Sequence, residues 1–491
     1  MRAAAVGVFV VGLLMLWTSG SWGQAERGPD LVVQEIAISP NNPKPGDSVT
    51  VAVTVANVGN EDAGNFFVCV SISLMSDAVA SVLELPLNEL VLARETVRRL
   101  DRNGRATVRI TWTVVELPLI KFRASVDCLF NQVRETNEEN NRFEQALLID
   151  EQHIHQWWLA QIEARKAHEI SLGSPEIVVA VIDSGVDWQH PELSENIWAN
   201  PKEIPNNGRD DDNNGFVDDI RGWDFVDNDN DSMAGSATNF HGTAVAGIIA
   251  NKADNIGLTG VAPKVKIMDV RAFDARGRAT TDNIVKALEY AVRNGARIVN
   301  MSFGAVGCFE PPGGMREAVR RAVERGAILV AAAGNFGEVV SGCVAYPAAY
   351  PGVISVGATG TDGAVVPYSQ GGPTLTVVAP GGDISYEKFL ELAAKIENFE
   401  QFLPLIKTSI LAPYSYGSYG PFFGTSAAAP HVSGVVALML SVNSKLSRDQ
   451  ILQVFRETST DKGPRGRDNR YGFGVVNAAK AVARAKELSQ P

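Results

Sequence analysis

Positive charge is scarce in this sequence. Its 491 residues include 44 lysines and arginines against 56 aspartates and glutamates, and the formal net charge is -12. No basic patch compensates for this deficit. Because nucleic acids and anionic lipid surfaces are themselves negative, their phosphates would repel the chain. The composition therefore excludes a general affinity for nucleic acid or for anionic membrane surfaces.

Long hydrophobic runs are also scarce, and the clearest one lies near the N-terminus. An apolar stretch from Ala3 to Trp17 follows an arginine and is too short to span a bilayer. Ser21 and Gly23 follow it, where a signal peptidase prefers small residues. Residues 1–23 are therefore predicted to be a secretory signal peptide, with an uncleaved anchor as the alternative. The mature protein is expected to be extracellular or attached to the cell surface, without a membrane span.

Cysteine is rare, but its placement is informative. Of the four cysteines, Cys69 and Cys128 lie in the N-terminal half of the chain, and Cys308 and Cys343 lie in the C-terminal half. Disulfides form in oxidising compartments outside the cell. For an exported chain we predict one disulfide within each pair, and buried free thiols are the alternative.

The N-terminal region reads as an all-β domain. With 45% hydrophobic residues, the chain is globular and long enough for roughly two or three domains. Residues 29–150 alternate apolar and polar positions, as in VTVAVTVANVG and ATVRITWTVV, between turns rich in Pro, Gly and Asn. This pattern predicts an antiparallel sandwich of about seven strands.

This region resembles the bacterial cell-adhesion-related domain called CARDB. The resemblance rests on its PDLVV opening, its PKPGDSVTVAVTVANVGNEDAG core and its VRETNEENNRFEQ close. It implies an immunoglobulin-like sandwich but specifies no ligand. A surface protein or a glycan is the expected class of partner.

After Asp150 the pattern changes. Apolar runs such as IVVAVID, RIVNMSFG and AILVAAAG alternate with helical patterns such as TDNIVKALEYAVRNGA. Strands that are apolar along their whole length, with helices between them, predict a parallel sheet buried on both faces. Residues 155–488 are therefore predicted to form an α/β domain in which helices flank a parallel sheet.

Three side chains of the α/β region indicate nucleophilic catalysis. Asp183 ends an apolar strand, at the sheet edge where open α/β folds place functional groups. His241 opens a helix of small residues, and Ser426 lies between Gly-Thr and a run of alanines. Each has a structural explanation when taken alone; Ser426, for example, fits the start of a helix. Their order along the chain matches one of the known orders of a catalytic triad.

Residues 155–488 resemble the subtilisin-like serine proteases in five motifs that occur in the right order: AVIDSGVD, HGTAVAGIIA, NMSFG, VAAAGN and GTSAAAPHVSG. The resemblance implies that Ser426 is the nucleophile, His241 the general base and then acid, and Asp183 the group that orients the imidazole. It also implies that the Asn335 amide and the Ser426 backbone N–H bind the oxyanion. The expected activity is that of a secreted serine endopeptidase.

The same resemblance implies where a substrate peptide would lie. The peptide would pair as an extended strand with the backbone of Ser302, Phe303 and Gly304. The pocket for the residue before the cleaved bond would be formed by Ala332, Ala333, Gly334 and Ala345. Phe336 follows Asn335 at a position where an acidic side chain would favour a cationic substrate residue, and it carries no charge. We therefore expect broad specificity with apolar residues preferred in this pocket.

Two departures from the family pattern have consequences. The residue after the nucleophile, usually methionine, is Ala427, so the site lacks a side chain that oxidants readily modify. An inhibitory α/β propeptide usually precedes the catalytic domain, and the sandwich stands in its place. The sequence therefore leaves the route of maturation open.

An acidic stretch between Asp183 and His241, which includes NNGRDDDNNGFVDD, has the alternate spacing of a calcium-binding loop. The predicted ligands come from Asp210, Asp212, Asn214, Phe216 through its carbonyl, and Asp218 or Asp219. A glutamate at the twelfth position is absent, so the loop is not an EF-hand. A solvated acidic loop is the alternative. A second family calcium site is predicted at Glu192 and Asp254, although Glu replaces the usual Asp.

Residues 385–405 are inserted ahead of the nucleophile. Apolar residues recur there at helical spacing from Tyr386 to Leu403, which predicts an amphipathic helix. Its simplest role is packing over the catalytic core, and the alternative is a lid near the leaving-group side.

The alternative hypothesis is that the chain belongs to another functional class, as an adhesion or scaffold protein whose protease fold is inactive. The presence of the whole triad together with Asn335 favours the enzyme. A retired site has no physical reason to keep all four groups.

Overall fold

The computed structural model describes residues 27–73, 89–128, 132–233, 240–305, 307–340, 342–393, 395 and 399–489. The predicted signal peptide lies outside these residues. The N-terminal part holds seven strands: β1 Leu31–Ser39, β2 Ser48–Asn57, β3 Phe66–Ser73, β4 Glu89–Val97, β5 Arg105–Thr113, β6 Leu119–Val126 and β7 Arg142–Leu148. All neighbouring strands are antiparallel, in one sheet of order β1-β2-β5 and another of order β4-β3-β6-β7. The predicted β-sandwich is confirmed.

Alternation along the strands builds the core of the sandwich. On β2 the side chains of Val49, Val51, Val53 and Val55 are fully buried, and the residues between them are more exposed. This is the period of two that places every second side chain on one face of a strand. A disulfide joins Cys69 on β3 to Cys128, which follows β6. The predicted pairing within the N-terminal half is therefore confirmed.

The second part is built on a seven-stranded sheet. Its strands are β8 Val178–Asp183, β9 Gly222–Asp224, β10 Lys266–Arg271, β11 Ile298–Met301, β12 Ile328–Ala332, β13 Val353–Thr359 and β14 Val377–Pro380. They lie in the order β14-β13-β12-β11-β8-β10-β9, and every neighbouring pair is parallel. The parallel α/β fold predicted from the apolar runs is confirmed.

Helices cover both faces of this sheet. Phe240–Ala250 and Thr425–Val442 share a core with Val179 and Val181 of β8, whereas Thr281–Arg293 and Met315–Glu324 share a core with the alternate residues Ala180 and Ile182. The remaining helices outside the insertion are Trp157–Gln161, Ala164–His168, Arg448–Thr458 and Ala478–Glu487, with short 3-10 turns at Glu151–His153 and Ser194–Asn196.

One helix of the described chain, Thr425–Val442, is long and apolar enough to cross a membrane. However, 83% of its most apolar window is buried inside the protein. It packs against β11, β12, β13 and β14. Its hydrophobicity is therefore that of a core helix.

The insertion ahead of Ser426 differs from its prediction. Two helices, Tyr386–Ala393 and Phe399–Lys407, stand where one was predicted. Phe389 on the first is fully buried, with its ring 5.2 Å from that of Phe423. This helix is thus anchored by packing. Ile396, one of the apolar positions of the predicted helix, lies outside the described residues.

A hairpin follows the insertion and leads into the nucleophile helix. Its strands are β15 Ile410–Tyr414 and β16 Ser418–Phe422, and they pair antiparallel. Gly424, with φ +99°, then turns the chain into the helix that begins at Thr425. A positive φ is readily adopted only by glycine, so this residue sets the direction from which Ser426 enters the site.

Candidate active site

Asp183 and His241 meet at the carboxyl edge of the parallel sheet. Asp183 is the last residue of β8, and His241 lies in the first turn of Phe240–Ala250. Asp183 Oδ1 lies 2.7 Å from His241 Nδ1 and also accepts a 2.8 Å hydrogen bond from the Ser184 N–H. Gly242 permits this approach, because a Cβ there would lie 2.3 Å from the Gly185 carbonyl oxygen. The carboxylate thus holds one ring nitrogen, and the other faces away from it.

The electrostatics of this pair favour the charged imidazolium. Burial lowers the pKa of His241, but the charge of Asp183 and its hydrogen bond raise it by more, so the net pKa lies above the ordinary value. About a third of the His241 side chain remains exposed, whereas Asp183 is almost fully buried. The histidine can therefore accept a proton from a group on its open side.

Ser426 is the second residue of Thr425–Val442, so its backbone N–H belongs to the unpaired first turn of the helix. Its Oγ donates to the Ser302 carbonyl oxygen at 2.7 Å, and Ser302 Oγ donates in return to the Ser426 carbonyl at 2.9 Å. No hydrogen bond joins Ser426 Oγ to His241 within the described residues. The hydroxyl is thus held by the segment 302–304, which follows β11 and is predicted to bind substrate.

Asn335 is held by the same helix start. Its Oδ1 accepts hydrogen bonds from both the backbone N–H and the hydroxyl of Thr425, each at 2.8 Å. The hydroxyl oxygen of Thr425 accepts in turn from the Gly334 N–H at 3.1 Å. Because the amide oxygen is used, Nδ2 is the end of the side chain that remains for another acceptor. Thr425 was missed by sequence reasoning, since a threonine at a helix start is common.

The residues of the predicted substrate pocket lie together. A Cβ on Gly304 or on Gly334 would each lie 3.0 Å from the Ala345 Cβ, so both glycines face this alanine. The Ala345 N–H donates to the Ala333 carbonyl at 2.8 Å. The arrangement fits the predicted one, in which the 302–304 and 332–334 segments stand on either side of Ala345. A disulfide joins Cys308 to Cys343 beside these walls, as predicted.

A cavity of about 170 Å³ adjoins the pair Asp183 and His241. Ser302 and the rings of Phe273 and Phe303, whose centroids are 4.9 Å apart, also line it. It lies along Ser302 and Phe303, in the segment that follows β11, on the histidine side of the site. Both apolar rings and acidic side chains, including Asp274, therefore face the space beside His241.

The acidic loop brings together two of the predicted calcium ligands and one residue that was missed. Side-chain oxygens of Glu203, Asp210 and Asp212 lie within 4.8 Å of one another. Glu203 is 7% exposed; one of its oxygens accepts from the Asp211 and Asp212 N–H groups, and the other has no partner among the described residues. Burial and nearby carboxylates raise the pKa of Glu203. No sequence signal marks this glutamate, because only the loop closure brings it to the aspartates.

The other predicted ligands of this loop have protein partners. Asp219 is fully buried and accepts from Asn200, Asn214 and the Tyr290 hydroxyl, the last at 2.5 Å. The carboxylate of Asp218 accepts from two backbone N–H groups, those of residues 207 and 208. Asn214 Oδ1 accepts from the Phe216 N–H at 2.8 Å. These residues brace the loop around the cluster of three carboxylates.

The second predicted calcium site shows a buried carboxylate and a paired one. Glu192 Oε1 accepts from the Tyr419 hydroxyl at 2.6 Å, and Oε2 has no partner within the described chain. Burial raises the pKa of Glu192 to about 7. Asp254 forms an ion pair with Lys252 at 2.9 Å. Among the described residues, these two carboxylates belong to no cluster of three metal-binding side chains.

Comparisons with known proteins agree with this geometry. The subtilase family model matches residues 174–474, and the CARDB model matches residues 28–145. Subtilisin Savinase from Lederbergia lenta is 31% identical over 326 residues, which cover 66% of this chain and 98% of that protein. Thermophilic serine proteinase from Bacillus sp. (strain AK1) is 34% identical over 317 residues, 64% of each chain. The crystal structure of a lanthipeptide protease matches with a TM-score of 0.51 and 27% identity, over 67% of this chain and 94% of that one.

Proposed function

Because the chain belongs to the subtilase family and is a serine-type endopeptidase, we propose that Ser426 is its nucleophile, His241 its general base and Asp183 the residue that orients His241. The observation that carries this proposal is the 2.7 Å contact between Asp183 Oδ1 and His241 Nδ1. The carboxylate keeps the proton on Nδ1 and leaves Nε2 free to act as a base. It also stabilises the imidazolium that forms when the serine is deprotonated.

Hydrolysis then proceeds in two displacements. Ser426 Oγ attacks the scissile carbonyl carbon while its proton passes to His241 Nε2, and the imidazolium gives that proton to the leaving amine. Water repeats the sequence on the acyl-enzyme and releases the acid. The negative oxygen of each tetrahedral intermediate is bound by Asn335 Nδ2 and by the Ser426 N–H. Both donors are oriented before substrate arrives, since Thr425 holds the amide oxygen of Asn335 and the first turn of the helix Thr425–Val442 fixes the Ser426 N–H.

Substrate binding also prepares the nucleophile. Ser426 Oγ donates to the Ser302 carbonyl, which lies in the segment proposed to pair with substrate. A backbone N–H of a peptide in that position competes for the same carbonyl oxygen. When the peptide takes it, the hydroxyl is released and turns to His241. Catalytic hydrogen bonds often become short only in such a complex.

The proposed specificity is broad, with apolar residues favoured before the cleaved bond. The base of the pocket is the methyl group of Ala345, and the glycines of both walls face it. Phe336 at the rim is 42% exposed and carries no charge. A pocket without a counter-charge penalises a charged side chain, because that group would lose its hydration without gaining a partner.

We further propose that the acidic loop binds Ca²⁺ as a structural ion. Glu203, Asp210 and Asp212 would hold it, since carboxylate oxygens are the ligands that Ca²⁺ prefers. The buried oxygen of Glu203 that lacks a protein partner supports the fit. The ion would supply charge neutralisation for the loop, and no step of hydrolysis passes through it. Glu192 and Asp254 remain the proposed second site.

The proposed setting is outside the cell. The predicted signal peptide and the two disulfides support export. The sandwich is proposed to attach the enzyme to a surface protein or a glycan, which would place the protease domain near its protein or peptide substrates. Maturation by removal of the sandwich is not required by this proposal.

Active-site labelling tests the proposed function directly. A fluorophosphonate probe is expected to label the wild-type protein covalently at Ser426 and to block hydrolysis of denatured casein. Ser426→Ala is expected to take up no probe, and Ser433→Ala, which changes a buried serine of the same helix, is the matched control. Equal labelling of wild type and Ser426→Ala would refute the assignment. A wild-type protein that neither reacts nor cleaves would favour the inactive scaffold.

A further inference from the structure

The segment Tyr368–Gly372 runs directly behind the oxyanion residue and the pocket base. The Gly337 N–H donates to the Tyr368 carbonyl at 2.8 Å. A Cβ on Gly372 would lie 2.9 Å from the Cα of Cys343, so this glycine touches the backbone ahead of Ala345. One polar side chain of the segment, Gln370, points inward between these two parts of the site and is only 1% exposed.

Gln370 makes hydrogen bonds on both sides of Asn335. Its backbone N–H donates to the Gly334 carbonyl at 3.0 Å, and its Oε1 accepts from the Phe336 N–H at 3.4 Å. Its Nε2 donates to the Cys343 carbonyl at 3.3 Å. Because a backbone N–H only donates and a carbonyl only accepts, these partners fix which way the amide faces. The two residues adjoining Asn335 are thus held by one glutamine.

Packing reinforces these bonds. Gly334 has φ +108°, and a Cβ on it would lie 2.1 Å from Gln370 Oε1. The glutamine amide therefore rests against the Cα of Gly334, a contact that no other residue type at 334 would allow. The backbone on the N-terminal side of Asn335 cannot move toward Gln370. On the other side, Phe336 is tied to the same amide oxygen.

We propose that Gln370 is the positioning residue for the oxyanion donor. Thr425 holds the side-chain oxygen of Asn335, and Gln370 holds the backbone that carries the side chain, so the direction of Nδ2 is set at two points. Such a donor is effective because it is oriented before negative charge develops. Gln370 itself touches neither substrate nor the reacting atoms. This inference rests on the proposed role of Asn335.

The test is a double-mutant cycle between Gln370 and Asn335. Gln370→Met keeps the length of the side chain and removes both side-chain hydrogen bonds, to Phe336 and Cys343, while the backbone N–H still donates to the Gly334 carbonyl. We expect kcat on a peptide p-nitroanilide to fall by about 10-fold to 100-fold, because a small misplacement of a catalytic group has effects of this size. KM is expected to change by less than about threefold, since the segment 302–304, which is proposed to pair with the substrate, keeps its own partners.

The second arm separates positioning from general damage. In an Asn335→Ala background the donor is absent, so Gln370→Met is expected to lower kcat by less than about twofold. An equal loss in both backgrounds would overturn the inference, because Gln370 would then act independently of Asn335. An unchanged kcat in the single variant Gln370→Met would overturn it as well. If Asn335→Ala itself has no effect on kcat, the proposed role of Asn335 as oxyanion donor is refuted, and the inference about Gln370 is refuted with it.

Controls keep the test independent of stability. Rates are expressed per active site titrated with the fluorophosphonate, so unfolded protein does not count. Gln156→Met is the matched variant, because Gln156 is also buried and bonds backbone on both sides, at the N–H and the carbonyl of Thr259. It is expected to leave kcat unchanged. If Gln370→Met does not fold, Gln370→Asn carries the same cycle, since its amide is one methylene too short to reach Phe336.

Discussion

Two polar sites of the α/β part differ in how their side chains are held. One, called here the triad corner, consists of Asp183, His241, Ser426 and Asn335. The other is the acidic loop around Glu203. In the triad corner, Asn335 accepts from Thr425 at the start of a helix, and Ser426 donates to Ser302 in the segment that follows β11. Each site has one buried carboxylate oxygen without a partner among the described residues, on Asp183 and on Glu203, but only in the acidic loop do three carboxylates converge. Converging carboxylates repel one another unless a cation or protons neutralise them.

The difference teaches that the two sites depend on different factors. The geometry of the triad corner comes from the chain itself, because each polar group is oriented by another part of the fold. The stability of the acidic loop is expected to depend on the solution, since pH and the proposed Ca²⁺ would set the charge that the loop carries. Loss of the Ser426 hydroxyl in the triad corner should therefore alter activity with little effect on stability. Changes in the acidic loop should do the reverse.

The largest expected effect separates the nucleophile from the oxyanion donor. Ser426→Ala is expected to lower kcat by about 10⁶-fold, the scale known for the corresponding serine in subtilisin. Asn335→Ala is expected to lower it by about 10²-fold to 10³-fold, again the subtilisin scale. Both residual rates can be measured in end-point assays of peptide hydrolysis at high enzyme concentration. Thermal unfolding should be nearly unchanged in Ser426→Ala. Asn335→Ala should unfold at a lower temperature, because the buried N–H and hydroxyl of Thr425 lose their acceptor. Comparable residual activities in the two would break the assignment of roles.

The next effect concerns the charge of Asp183. Burial lowers the pKa of His241, but the attraction of Asp183 outweighs it and raises the net pKa. As the proposed general base, His241 can accept a proton only when its imidazole is neutral. Activity should therefore rise as the pH increases through that pKa. Asp183→Asn removes the attraction, so the acid limb of kcat/KM should move to lower pH, with kcat reduced by about 10⁴-fold. A pH profile of both proteins tests this, with the exposed Asp282→Asn as control; an unmoved limb would contradict it.

For the acidic loop, the expected effect is on stability. Chelation by EDTA should destabilise the protein by about 2.7 kcal/mol if calcium is present at a hundred times its dissociation constant. The measurement is thermal unfolding of the Ser426→Ala variant, which cannot digest itself. Glu203→Gln should remove most of the EDTA effect, whereas Glu195→Gln, with its side chain 76% exposed, should keep it. Identical melting curves with and without EDTA would contradict the proposal that the acidic loop, unlike the triad corner, depends on Ca²⁺ for its stability.

The smallest effect is expected with oxidants. Ala427 is fully buried beside Ser426 and offers no sulfur, and Met301 is also fully buried. Peroxide should therefore leave wild-type activity largely intact. Ala427→Met should make activity sensitive, because a sulfoxide adds a polar oxygen next to the acyl group. Residual activity is followed over time, with Met301→Leu as control. Equal rates of loss in wild type and Ala427→Met would be the contrary result.

The sequence alone was sufficient where the signal is local. Apolar runs identify β8 and its neighbours, because a strand buried on both faces needs no polar position. Alternation identifies the sandwich for the opposite reason. The motifs around Asp183, His241 and Ser426 identify the family, since a strand end and two helix starts each need a characteristic set of small residues. The two disulfides could also be predicted, because each pair lies within one half of the chain.

Only the tertiary structure decided which distant groups meet. Loop closure brings Glu203 to the aspartates, and no periodicity marks that residue. The insertion forms two helices, where residue spacing alone predicted one, and Phe389 on the first helix packs against Phe423. Gln370 reaches both neighbours of Asn335 from a segment 35 residues further along the chain. Such contacts depend on how strands and loops are placed in space, and local residue preferences carry no information about that placement.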